Sequence, residues 1–209
     1  MSKLETALRK VPGYEAEAAA AASRFAEHAA HEGLVDVAYT TVVSPVGAVL
    51  VAATHRGLVR IAFGAGFNAD EVVEDLSERI SPRVLEVPSY FDGVRRELDE
   101  YFEGRRTSFD LPLDWQLTRG FARQVLRRTA KIPYGEVSTY QRMAAAAGSP
   151  RAYRAAGNAL GANPIPIVVP CHRVLHSGGG LGGYGGGLER KEFLLRLEGS
   201  LPGERPAGA

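Results

Sequence analysis

The chain is predicted to be an α+β protein, and three features of the sequence predict it. Between Asp36 and Phe63 lie three β-rich runs separated by two tight turns. Beyond Arg119 the pattern changes to short amphipathic helices, two of which flank a Gly-containing turn. The chain's one cysteine, Cys171, follows an apolar run and precedes a glycine-dense loop. The expected architecture is an N-terminal three-stranded antiparallel sheet with helices, then a C-terminal, mainly α domain. The second domain carries a helix-turn-helix and the active-site cysteine. A chain of 209 residues has core enough for one large or two small domains.

Residues 1–34 are rich in Ala and Glu and read as a helical extension ending near Gly33, a surface helix packed on the first domain. The runs 37–43, 48–53 and 58–63 then form a meander through the turns Ser44-Pro45-Val46-Gly47 and His55-Arg56-Gly57. A helix is expected over Asn68 to Ile80, with Asp70 and Glu71 complementing the dipole of its first turn. Another is expected over Ser89 to Phe102. The first domain, residues 35–114, closes near Asp114.

Residues 115–199 form the second domain and 200–209 a flexible tail. Gly120 to Ala130 reads as a basic amphipathic helix, with Phe121, Val125 and Leu126 inward and Arg123, Arg127 and Arg128 outward. A helix from Ser138 to Ala147, the turn Gly148-Ser149, and a helix opened by Ser149 as N-cap and Pro150 match a helix-turn-helix. Glu189 to Glu198 is the closing helix, with Phe193, Leu194 and Leu197 as its buried stripe.

Composition narrows the function classes. With 45% apolar and 23% charged residues, the chain is an ordinary globular protein. No apolar run is long enough to span a bilayer, and Met1 to Lys10 lacks the pattern of a secretory signal. A lone cysteine forms no internal disulfide and no thiol-based zinc framework, so a reducing compartment, the cytoplasm, is expected. The net charge of +1 hides a division. Met1 to Thr118 holds 12 Lys/Arg against 19 Asp/Glu, whereas Arg119 to Glu198 holds 12 against 4. Either the basic part meets a polyanion, or two oppositely charged domains attract one another.

The second helix of the pair, Pro150 to Gly161, is dominated by Ala and Gly, with Arg151 and Arg154 as exceptions. A helix reading base edges in the major groove would carry more Asn, Gln or Arg. Small residues let the backbone approach a narrow groove closely, which favours minor-groove contact. They serve equally well to pack one helix against another. Cys171 is likewise open to two readings, a structural free cysteine or a nucleophile served by His172. Adjacent side chains in an extended strand point to opposite faces, so direct pairing needs a bend at Pro170 or an intervening water.

The segment Asn163-Pro164-Ile165-Pro166-Ile167-Val168-Val169-Pro170-Cys171-His172-Arg173-Val174 closely resembles the active-site motif of the O6-alkylguanine-DNA alkyltransferases. Gly135-Glu136-Val137-Ser138-Thr139-Tyr140 and Gly182-Gly183-Tyr184-Gly185-Gly186-Gly187-Leu188 resemble the same family in the same order. The resemblance is strong over about residues 115–199 and weaker over 36–114, where it implies a ribonuclease H-like domain.

It implies that Cys171 takes the alkyl group from O6 of guanine, that His172 is the base acting through a water, and that Glu198 orients it. Asn163 matches a hinge residue bracing the turn before the cysteine, and Tyr140 a hydroxyl donating towards guanine N3. Val174, Tyr184, Gly185, Gly186, Lys191 and Pro166 match substrate-binding positions. Arg154 matches an arginine finger that fills the base stack after the nucleotide is flipped out. Arg151, Ala152, Ala155, Gly157, Tyr140 and Arg173 match the DNA-binding face. The implied partner is double-stranded DNA entered from the minor groove, with no membrane and no cofactor. The implied acting unit is a monomer, with cooperative assembly on DNA left open. The thioether formed on Cys171 has no second nucleophile to release it, so each molecule reacts once.

Two departures stand out. The zinc site of some relatives cannot exist with one cysteine, which leaves His28, His31 and His55 as surface residues. Gly185 stands where relatives often place a hydroxyl residue. Rival functions are a lesion-sensing module with Cys171 unused, although such relatives lack the cysteine, and a Cys–His hydrolase of small esters or peptides.

Overall fold

The computed structural model describes residues 14–201. The start of the expected N-terminal extension and most of the expected tail lie outside the described residues. Helix α1 (Tyr14–His31) leads in, with Ala26 and Ala29 buried and Ala26 part of the main core.

Strands β1 (Val37–Ser44), β2 (Gly47–Thr54) and β3 (Gly57–Ala62) form the expected antiparallel meander. Their period-two alternation splits the apolar residues between two faces. Val49, Val51 and Ala53 of β2 face the main core, while Leu50 and Ala52 face helix α2 (Ala69–Arg79) through Val72, Val73 and Leu76. The side chain of Asn68 caps α2 by accepting from the Asp70 N–H.

The sheet differs from expectation in its strand count. Among the described residues it has four strands in the order β3-β2-β1-β4, because β4 (Val84–Glu86) pairs parallel to β1. A three-residue run between Pro82 and Pro88 carries no alternation long enough to read as a strand. A 3-10 turn, Pro88–Phe91, then leads into α3 (Asp92–Phe102), which packs Leu98, Tyr101 and Phe102 inward. Asp114, at the expected boundary, is buried and accepts a 2.7 Å hydrogen bond from Thr54.

Helix α4 (Gly120–Thr129) turns Val125 and Leu126 into the same core cluster that holds Val51, Phe91 and Tyr101. One apolar core thus runs across both halves of the chain. The two-residue strand β5 (Ser138–Thr139) pairs with β6 (Val174–Leu175) and ties the start of α5 (Tyr140–Ala146) to the segment just after Cys171. Helix α6 (Tyr153–Gly161) completes the helix-turn-helix, and α7 (Leu188–Leu197) closes the chain.

The N-terminus of α6 corrects an expectation. Ser149 and Pro150 do not open the helix; they form a turn in which the Ala152 N–H donates to the Ser149 carbonyl. Proline's fixed φ serves that turn, and α6 begins three residues beyond Pro150. Arg151 and Ala152 therefore precede the helix. At the first helix of the pair, Thr139 is the cap, its hydroxyl accepting from the Arg142 N–H.

Candidate active site

Cys171 is held by the segment that connects α6 to β6. Asn163 braces this segment from inside: its Oδ1 accepts from the Ile165 N–H at 3.1 Å, and its Nδ2 donates to the Val169 carbonyl at 2.8 Å. The same amide reaches Cys171 Sγ at 3.1 Å. Between these anchors Ile167 is buried with φ 74, a left-handed conformation that is costly for a β-branched residue and persists only where its surroundings enforce it. The N-terminal sheet takes part, because the Ile61 N–H donates to the Pro164 carbonyl at 2.8 Å.

Cys171–Arg173 is a 3-10 turn, so the chain bends just after Pro170, one of the two arrangements the sequence left open. Side chains on such a turn diverge by about a third of a revolution per residue. Cys171 faces the cavities described below, and His172 turns inward to Glu198, the residue that caps α7.

His172 Nε2 lies 2.9 Å from Glu198 Oε1, and Tyr101 of α3 donates to the same oxygen at 2.6 Å. Arg173 grips both carboxylate oxygens, at 2.7 and 2.8 Å, and also donates to the Ile132 carbonyl. Its guanidinium lies 5.8 Å over the Tyr134 ring, while the Tyr134 hydroxyl bonds the Leu197 carbonyl. Arg173, expected on the DNA-binding face, is therefore a buried partner of Glu198. Tyr101 and Tyr134 escaped the sequence reading. For Tyr101 the available signal was a hydroxyl-bearing ring beside Leu98 and Phe102 on a buried stripe, since buried tyrosines find hydrogen-bond partners; Tyr134, in a turn, offered none.

Electrostatics follow from this burial. Burial raises the Glu198 carboxyl, but hydrogen bonds from His172 and Arg173 outweigh it and bring it down to about 2. His172 is lowered by burial, with Glu198 opposing. A neutral imidazole beside a carboxylate carries its proton on Nε2, which leaves Nδ1 as the basic nitrogen. Nδ1 is buried and, among the described residues, has no hydrogen-bond partner. Burial pushes the Cys171 thiol up to about 11, against the lowering effects of the Asn163 hydrogen bond and of Lys191. The thiol is therefore protonated at neutral pH, because desolvation outweighs its donors.

Two cavities meet at Cys171. The larger, about 960 Å3, is lined by Tyr140, Tyr153, Arg154, Gly157, His176 and Tyr184 among others. The smaller, about 300 Å3, lies between the β3–α2 loop and the active-site segment and includes Phe63, Phe67, Asn163, Pro166 and Tyr184. Gly185 borders both. Gly186 is fixed by close approach: a Cβ there would lie 2.7 Å from the Phe63 ring.

Lys191 is fully buried, and its Nζ donates to the carbonyls of Val174, at 2.7 Å, and Leu181. It pins the glycine-rich loop to β6 rather than opening onto a cavity, and Val174 is buried behind it. Burial draws its ammonium down to about 8. On α6, Ala156, Ala159 and Leu160 pack inward, while Tyr153, Arg154 and Ala155 stay exposed. Arg151, just before the helix, is exposed as well. The small residues therefore serve helix packing on one face and leave the other face open. His28, His31 and His55 are exposed.

Fold and site together define a protein whose one thiol, next in sequence to a buried histidine–carboxylate pair, opens onto a cavity walled by a helix-turn-helix. Two family models cover most of the chain. The 6-O-methylguanine DNA methyltransferase ribonuclease-like domain matches residues 37–115, and the DNA-binding domain of the same family matches residues 120–200. A methylated-DNA–protein-cysteine methyltransferase of Methanosarcina barkeri is 42% identical over 160 residues, spanning 77% of this chain and 96% of the relative. One from Mycolicibacterium paratuberculosis is 41% identical over 162 residues, spanning 78% and 92%. Among solved structures, the Mycobacterium tuberculosis O6-methylguanine methyltransferase superposes with a TM-score of 0.67 at 38% identity, over 82% of this chain and 96% of that one. The same organism's OGT in complex with DNA gives a TM-score of 0.66 at 38% identity, over 78% and 93%. The chain belongs to the 6-O-methylguanine DNA methyltransferase family.

Proposed function

We propose that this chain repairs DNA by direct reversal, moving an alkyl group from O6 of guanine onto Cys171, once per molecule. The observation that carries the reading is the position of the thiol, which opens onto a 960 Å3 cavity of a size suited to a nucleobase and walled by α6. The relatives are named as methyltransferases acting from methylated DNA to a protein cysteine, and this chain has one cysteine.

The base is hidden in a duplex and must be flipped out, at a cost that a weakly paired lesion reduces. Arg154, exposed beside the cavity, fills the space left in the stack. The exposed small-residue face of α6 enters the minor groove, and Arg151, Ala152 and Ala155 lie along that contact. Because the thiol is protonated at rest, transfer begins with removal of its proton. His172 Nδ1 takes that proton through an intervening water, and Glu198 stabilises the imidazolium that results. Sγ then attacks the alkyl carbon, the S–C bond forms as the C–O6 bond breaks, and the bond's electron pair leaves with guanine. Tyr140, half-buried on the cavity wall, donates towards N3 to stabilise that charge. The thioether persists.

Cys171, His172, Glu198, Tyr140 and Arg154 all come from one chain, which supports a monomer as the acting unit. The test is single-turnover transfer from an O6-methylguanine duplex to the native protein and to Cys171→Ser. The variant should bind the duplex and accept nothing; transfer to it would assign the reaction to another group. Binding without transfer by the native protein would favour a lesion sensor, and repeated turnover a hydrolase.

A further inference from the structure

Tyr153 opens α6 and is 45% exposed, the one aromatic in a helix otherwise built of Arg, Ala, Gly, Asn and Leu. Consecutive residues on a helix do not normally face one another. Even so, the Arg154 guanidinium carbon lies 5.6 Å over the Tyr153 ring, and both side chains line the 960 Å3 cavity beside Cys171. Among the described residues neither side chain makes a hydrogen bond or ion pair, so the ring is the partner that holds the guanidinium. A long, unpartnered arginine gives up rotamer freedom whenever it must occupy one place. A ring that already confines the guanidinium at the cavity mouth removes part of that loss before DNA arrives.

We propose that Tyr153 is a positioning residue for Arg154, holding the guanidinium by a cation–π contact so that the finger meets the duplex already in place. This rests on the finger role proposed above for Arg154. The contact is at the surface, so its effect is modest: the ratio of transfer rate on duplex to rate on free O6-benzylguanine should fall roughly two- to fivefold in Tyr153→Ala. Tyr153→Phe keeps the ring face and should keep the ratio, since the phenol hydroxyl makes no bond. In an Arg154→Ala background, removing the ring should lower the ratio no further.

The experiment is single-turnover kinetics on both substrates for Tyr153→Ala, Tyr153→Phe, Arg154→Ala and the double variant Tyr153→Ala/Arg154→Ala. If Arg154→Ala leaves the ratio intact, the finger role itself fails. If Arg154→Ala lowers the ratio but Tyr153→Ala does not, raises it, or adds its full loss in the double variant, the finger stands and the positioning role is overturned. An equal loss on both substrates in Tyr153→Ala would mark a merely structural residue and would also overturn it.

Discussion

His172 Nε2 lies 2.9 Å from Oε1 of Glu198, with both side chains fully buried. The pair fixes the imidazole tautomer, turns Nδ1 into the basic nitrogen and anchors the active-site turn to the end of the closing helix. Arg173 and Tyr101 complete the network, so Glu198 joins the catalytic segment to both halves of the chain.

Removing that carboxylate should cost both stability and activity. Glu198→Gln leaves the Arg173 guanidinium buried without its counter-charge, and the unfolding free energy should fall by about 3–5 kcal/mol in chemical denaturation. The pH dependence has a definite sign. The folded state lowers the Glu198 pKa from 4.5 to about 2, so this stabilisation is fully present above 4.5 and is lost as pH falls through 2. Its size is on the order of 3 kcal/mol. Denaturation midpoints across that acid range should drop steeply for the native protein and more gently for Glu198→Gln.

The buried thiol should be slow towards small electrophiles in the absence of DNA. Its pKa is raised from 9.0 to about 11, so the protonated form persists well above neutral pH. The rate of iodoacetamide labelling of Cys171 should climb about tenfold per pH unit until it levels near that value. A plateau below pH 8 would show a thiolate already formed in the free protein.

Much of this arrangement was legible in the sequence, and the failures share a physical cause. The meander announced itself through β-rich runs joined by tight turns, and the helix-turn-helix through the Gly-containing turn at Gly148. Strand β4 did not, because a short run flanked by prolines is identified only by its parallel partner β1. Arg173 was misplaced for a similar reason. Charge type alone argues for a surface, and its burial depends on Glu198, 25 residues away. Tyr101 lies 97 residues from the carboxylate it serves, beyond any local pattern. Cys171, His172 and Asn163 were legible because they sit within one short motif.

The glycine loop should be intolerant at one position and tolerant next to it. Gly182 has φ 69, and a Cβ there would run into the Tyr140 hydroxyl. Gly182→Ala should lower stability by about 1–2 kcal/mol and slow reaction with free O6-benzylguanine by displacing Tyr140. Gly183 has open space around its Cβ direction, and Gly183→Ala should alter stability by less than about 0.5 kcal/mol. Thermal unfolding and single-turnover rates on the pair of variants check both halves.

Peptide mass mapping after incubation with a duplex carrying one O6-methylguanine tests the central claim most directly. The peptide containing Cys171 should gain one methylene, in one equivalent per protein, with guanine restored in the duplex. An unmodified Cys171 peptide alongside repaired DNA, or no repair at all, would contradict it.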